Sequence, residues 1–209
     1  METTQQSESQ EQGQSQSTQQ NSNKITLVPY TLHEGEWTLP DHFLRAIVEQ
    51  LKDEGSFEFL FYEGTIKTGD EFVQLMQNPC NVPVFAFRDK KLLGFAWLNG
   101  MAGTMAYGHL CSTKAARSKY TIEMGHMFME YWFSFPGKDG PLFEFLFAMI
   151  PGFNSPAQNY LERLGWNHLG SVPKMLKCAY RPDRESAEIY YISRFDYGKK
   201  GQQQTSNTT

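Results

Sequence analysis

His109 and Cys111 stand two positions apart in Gly108-His109-Leu110-Cys111-Ser112, so on an extended chain their side chains leave the same face. A thiol and an imidazole so placed are the parts of a nucleophile and its base. No third group orients the imidazole and no local signature accompanies the pair, so a hydrolase is set aside. Just beyond lies a basic run, Lys114, Arg117 and Lys119, near the start of a helix. Such a run either meets an anion there or is simply solvated. Further on, Asn154-Ser155-Pro156-Ala157 carries a helix start: Asn154 or Ser155 supplies the N-cap and Pro156 suits the first turn. Gly165 supplies the left-handed residue that ends the helix. His33, His42, His126 and His168 are scattered without ligand spacing, so no metal is indicated. Met124, Met127 and Met129 read as core packing.

These residues need a scaffold, and the composition provides for one. The 209 residues are 40% hydrophobic and 14% aromatic, enough for one domain with a real core. Residues 1–23 are almost entirely Gln, Ser, Thr, Glu, Asn and Gly, and residues 199–209 are similarly poor in apolar side chains. Such segments bury too little apolar surface to offset the entropy of ordering, so both read as disordered tails around a folded unit at 24–198. No apolar segment has the length of a membrane span or the form of a secretory signal, which points to a soluble, cytoplasmic protein. The three cysteines, Cys80, Cys111 and Cys178, form no framework and read as reduced thiols. A net charge of -4 gives no general reason to expect nucleic acid or an anionic membrane as partner.

Hydrophobic periodicity then orders the elements. Ile25 to Tyr30 reads as a strand, and Phe43, Leu44, Ile47, Val48 and Leu51 recur at helical spacing from Pro40 to Gly55. Phe57 to Tyr62 reads as an extended connector or strand. Thr68-Gly69-Asp70-Glu71 fits a capping box for a helix over Asp70 to Gln77. Val82 to Arg88 and Lys91 to Leu98 flank the turn Asp89-Lys90 as a hairpin, and after a turn at Asn99-Gly100 a third strand spans Met101 to Ser112. A helix from about Ser118 to Phe133 buries Ile122, Gly125, Met129 and Trp132. Pro136 to Gly140 is a turn cluster, Phe143 to Ile150 a buried strand, and Gln158 to Leu164 a short helix. Val172 to Tyr180 and Ala187 to Phe195 close the chain as an antiparallel pair. A helix between the Met101 and Phe143 strands implies that these two run parallel in an otherwise antiparallel sheet. The fold class is therefore α/β (α+β), a mixed, mostly antiparallel central sheet flanked by helices.

This order, with Asn154-Ser155-Pro156-Ala157, Leu161-Glu162-Arg163-Leu164-Gly165-Trp166 and Gly170, resembles the GNAT (GCN5-related N-acetyltransferase) superfamily. The pattern is nearest to the ribosomal-protein N-terminal acetyltransferase branch, whose Thr-Glu-Ala in the long helix is matched by Ile122-Glu123-Met124. The resemblance implies acetyl transfer from acetyl-CoA, as cosubstrate, to an amine on a small molecule, a protein N-terminus or a lysine. It implies that the pantetheine arm pairs with backbone at Leu110, Cys111 and Ser112. The pyrophosphate would meet Arg117, Ser118, Lys119, Tyr120, Thr121 and Ile122, with Asn154 beside the pantetheine or the thiol end. The family's phosphate loop usually carries small residues, where this chain has Tyr120 and Ile122 in one register or Lys119 and Thr121 in the other. The tyrosine found in many members seven positions after the Asn is Leu161 here. Tyr160 is adjacent, about 100° around the helix, and is the nearest candidate proton donor. Glu58 and Glu63, near the expected acceptor side, are candidate bases, directly or through water. A catalytically silent GNAT-fold binding or structural protein, of the degenerate kind also found among bacteriophage proteins, is the second reading.

Overall fold

Asp89 and Lys90 both adopt left-handed backbone conformations, with φ of 50° and 63°, and so close the two-residue hairpin read from the sequence. A computed structural model of the chain describes residues 24–117 and 119–198. The segments read as tails, and Ser118, lie outside the described residues.

In chain order, β1 (Thr26–Pro29) and a small ribbon of β2 (Leu32–His33) with β3 (Glu36–Trp37) lead into α1 (Asp41–Asp53), α2 (Phe57–Leu60) and α3 (Gly69–Gln77). The meander β4 (Val82–Arg88), β5 (Lys91–Ala102) and β6 (Met105–Ser112) follows, then α4 (Thr121–Phe133) and a second ribbon, β7 (Pro136–Gly137) with β8 (Gly140–Pro141). The chain continues through β9 (Phe145–Pro151), α5 (Ser155–Arg163), β10 (Asn167–Lys177) and β11 (Arg184–Ser193). Seven strands form one sheet in the order β1-β4-β5-β6-β9-β11-β10, antiparallel except for the β6–β9 pair. The mixed sheet with one parallel pair is thus as the sequence implies.

Alternation along β4 and β5 sends side chains to two cores. Phe85, Phe95 and Trp97 meet Leu44, Ile47, Phe72 and Met76 of α1 and α3 on one face. Val84, Ala96 and Leu98 meet Met124, Phe128 and Trp132 of α4 and Leu161 of α5 on the other. Thr68 and Glu71 form the capping box of α3 as read, the Thr68 hydroxyl accepting from the Glu71 amide and the Glu71 carboxylate from the Thr68 amide.

Among the local readings that differ from the structure are these three. Phe57–Leu60 is a helical turn rather than an extended connector, because burial at i and i+4 governs it. Phe57 and Phe61 sink together with ring centroids 5.2 Å apart, while Phe59 stays exposed. Asn99-Gly100 does not end β5. The strand continues to Ala102, with a register shift against β6 where Gly100 takes φ of 55°. The last pair of strands begins earlier than read, β10 at Asn167, just after Gly165 ends α5 at φ of 87°.

Candidate active site

The parallel ladder between β6 and β9 runs only from Met105 opposite Phe145 to Tyr107 opposite Phe147. Beyond it β6 follows β5 as far as Ser112, while β9 follows β11 as far as Pro151, so the two halves of the sheet diverge. A cleft of about 510 Å³ opens between them. Its floor is the end of β6, its walls are the end of β9 with α5 on one side and the α2 turn on the other. Backbone groups on the β9 side of β6 lose their ladder partner over this stretch and face the cleft.

Leu110, Cys111 and Ser112 line this cleft together with Arg117, Thr121, Asn154 and Tyr160. Asn154 does two things at once. Its Oδ1 accepts from the Ala157 amide at 3.3 Å and caps α5, which leaves the Nδ2 donors for the cleft. Gln158 holds the preceding turn, its side-chain amide donating to the carbonyls of Pro151 and Gly152. The opposite end of the cleft meets the start of α4, where Tyr120 occupies the N-cap position with no side-chain cap bond. The loop before it is anchored by buried Thr113, whose hydroxyl bonds the Leu92 and Leu93 carbonyls. It winds in short turns, with the Tyr120 amide donating to the Ala116 carbonyl.

The basic run divides. Arg117 lines the cleft, yet its guanidinium donates to Ser56 Oγ at 2.8 Å and lies 3.6 Å from the Glu54 carboxylate. Lys114 gives its backbone N–H to the same carboxylate at 2.6 Å, and it borders an open hollow beside α1 that Arg117 also lines. Lys119 and Arg88 both lie over the Tyr120 ring, at 5.2 and 4.5 Å from its centroid. Ile122 packs against the α4 core. Arg163, in the last turn of α5, is a second cation on the cleft that the sequence reading passed over as part of a helix stop.

Of the three candidate catalysts, only Tyr160 lines the cleft. Its hydroxyl donates to the Thr121 carbonyl at 2.9 Å, and burial pushes the phenol well above its ordinary range. Gly125 makes room for it, since a Cβ there would lie 2.4 Å from the Tyr160 oxygen. Glu58 is exposed on α2 and lines a neighbouring cavity of about 310 Å³ with Phe59, Tyr62, Phe153 and Arg181. Glu63 lines neither space. Cys111 is buried, and burial pushes its thiol up to about 12, so it is no thiolate nucleophile.

One cleft residue gained definition only from the folded register. His109 stacks on Trp97 of β5 with centroids 4.4 Å apart and planes at 6°, and its Nε2 lies 3.0 Å from Asn99 Oδ1. Burial holds the imidazole down at about 4, so it is neutral at physiological pH.

This sheet order, with a cleft where β6 and β9 part and a helix N-terminus at one end of it, is the fold of the GNAT acetyltransferases. No protein-family model matches the sequence, and no curated protein matches it either. Solved structures do. Spermidine N-acetyltransferase from Vibrio cholerae, in complex with CoA and spermine, superposes with a TM-score of 0.65 at 14% identity, covering 83% of this chain and 97% of that one. RimL, a ribosomal L7/L12 alpha-N-protein acetyltransferase in complex with coenzyme A, superposes with a TM-score of 0.60 at 11% identity, covering 74% and 90%.

Proposed function

We propose that the chain is an acyltransferase that moves an acetyl group from acetyl-CoA to an amine by direct attack. The observation that carries this reading is the cleft itself. It combines a strand edge released from its ladder, the Asn154 amide on one wall and the start of α4 at the far end. An extended pantetheine amide arm suits the freed backbone of Leu110 to Ser112, and Asn154 Nδ2 offers donors to its carbonyls. The diphosphate suits the α4 start, where the helix dipole and the first amides favour an anion. Arg117 and Arg163 are the cations that line the cleft and could reach it. The side chains of Tyr120 and Ile122, where small residues are usual, turn into packing with Arg88 and with the α4 core rather than filling the cleft. They are absent from its lining.

Acetyl-CoA supplies an activated acyl carbon, and what the protein contributes is mainly position. Both reactants are held along one channel, with the α2 turn and Phe59 on the side where an amine would enter. Tyr160 is assigned to fastening α5 onto α4, because its proton is already given to the Thr121 carbonyl. The acceptor is taken to be an amine, as it is for the two superposed enzymes, whose names specify spermidine and a protein N-terminus. A thiol-release assay with acetyl-CoA against polyamines, amino acids and N-terminal peptides tests the reading. Acceptor-dependent release of free CoA is expected, and release no faster than the acceptor-free background with every amine would overturn it.

A further inference from the structure

We propose that His109 is the base that takes the proton from the acceptor nitrogen. The assignment rests on the acyltransfer reading above. Six titratable groups share the cleft. These are Tyr62 after α2, His109 and Cys111 on β6, Arg117 before α4, and Tyr160 and Arg163 on α5. The adjoining stretch of β9, Ala148 to Pro151, contributes none, and β5 sets Trp97 and Asn99 against the ring. Two of the six are permanent cations. The Cys111 thiol and both phenols are pushed up by burial and keep their protons, and the Tyr160 hydroxyl is already donated. His109 alone among these six carries a basic lone pair at neutral pH.

The geometry also says which nitrogen carries it. Asn99 Oδ1 can only accept, so the hydrogen bond at 3.0 Å places the proton on His109 Nε2. Nδ1 is then the base. It has no protein hydrogen-bond partner among the described residues, and His109 lines the cleft, so Nδ1 is the nitrogen left for an acceptor. The stack on Trp97 fixes the ring plane, and the Asn99 bond fixes its rotation. A base held this way needs no reorganisation when the amine arrives. In the balanced step, the acceptor nitrogen forms the C–N bond as the C–S bond of the thioester breaks. The proton leaving nitrogen passes to His109 Nδ1, and from there the departing thiolate or water takes it. The neutral state matters for a second reason, since an imidazolium could not accept the proton that leaves the acceptor nitrogen as the C–N bond forms. Asn99 is a positioning residue in this scheme.

The test compares His109→Gln, Glu58→Gln and Glu63→Gln with the wild type in the same thiol-release assay, alongside acetyl-CoA titration. His109→Gln is expected to lose about 100-fold or more in kcat with unchanged acetyl-CoA affinity. The two glutamate variants are expected to stay within about threefold of wild type. His109→Ala should recover turnover with added imidazoles, faster with more basic ones, a response that a purely structural histidine would not give. Asn99→Asp keeps the acceptor for Nε2 but adds charge, so it should move the acid limb of kcat/KM upward in pH, and it reads the same base should both His109 variants fail to fold. A His109→Gln enzyme within about threefold of wild type, a larger loss in either glutamate variant, or an acid limb unmoved by Asn99→Asp overturns the assignment while leaving acyl transfer intact. A wild-type chain that binds acetyl-CoA but turns over no amine removes both.

Discussion

Gly125 sits where α4 meets α5, and substituting it tests whether that seam is as close as described. Alanine in a helix interior ordinarily stabilises by about 1 kcal/mol relative to glycine. Here the new Cβ would lie 2.4 Å from the Tyr160 oxygen and 2.7 and 2.8 Å from the two Leu164 methyls. Relieving those contacts requires α5 to retreat, and overpacking of this kind costs about 1–3 kcal/mol. Retreat also stretches the Tyr160 to Thr121 bond, and a buried hydrogen bond left unmade adds about 1–3 kcal/mol. Gly125→Ala should therefore destabilise by about 1–5 kcal/mol net, or about 2–20 °C in Tm for a chain of this size. Tyr160→Phe removes the contacting oxygen, so the double variant should be more stable than the two single costs added together by at least about 0.5 kcal/mol. Urea unfolding followed by tryptophan fluorescence measures all four corners of the cycle. A Gly125→Ala chain with raised Tm, or an additive cycle, would refute the packing argument. Tyr160→Phe should also keep turnover within a few-fold, and a loss of 100-fold would return the phenol to the chemistry.

His109 is held at about 4 against an ordinary 6.5, so between those values the unfolded chain binds a proton that the folded chain does not. Stability should fall as pH drops through that window, by at most about 3 kcal/mol and by less for a ring with some access to solvent, and the fall should flatten in His109→Gln when denaturation midpoints are compared at pH 7 and pH 4. Thr68→Ala removes the N-cap of α3 and should lower stability by about 1 kcal/mol, read as a small fall in urea midpoint with unchanged slope. Arg117→Ala should weaken acetyl-CoA binding by about tenfold, or about 1.4 kcal/mol, in a calorimetric titration. An unchanged affinity would mean that the pairing with Glu54 and Ser56 is the whole role of Arg117.

Features that depend on local chemistry were legible in the sequence, and those that depend on register were not. Thr68 and Glu71 announce a capping box within four residues, Asp89-Lys90 lies between two apolar runs, and Asn154, Pro156 and Gly165 bracket α5. The parallel pair followed from one connecting helix. Phe57 to Tyr62 was ambiguous because six mostly apolar residues fit a strand or a turn, and only the burial of Phe57 beside Phe61, which itself meets Phe72 and Trp97, decides it. His109 was visible only beside Cys111, its neighbour along the chain. The residues that define it, Trp97 and Asn99, come from the adjacent strand and depend on the pairing of Trp97 with His109. Arg117 reads as a free cation for the same reason, since Glu54 and Ser56 lie some sixty positions away.

Titration calorimetry paired with thermal unfolding shows whether the cleft between β6 and β9 receives acetyl-CoA. Saturable binding of acetyl-CoA and of free CoA is expected, with stabilisation that reaches about 2.7 kcal/mol when ligand stands at about a hundred times Kd. Absence of both heat and an unfolding shift with either ligand at millimolar concentration would rule out this cleft as a CoA site.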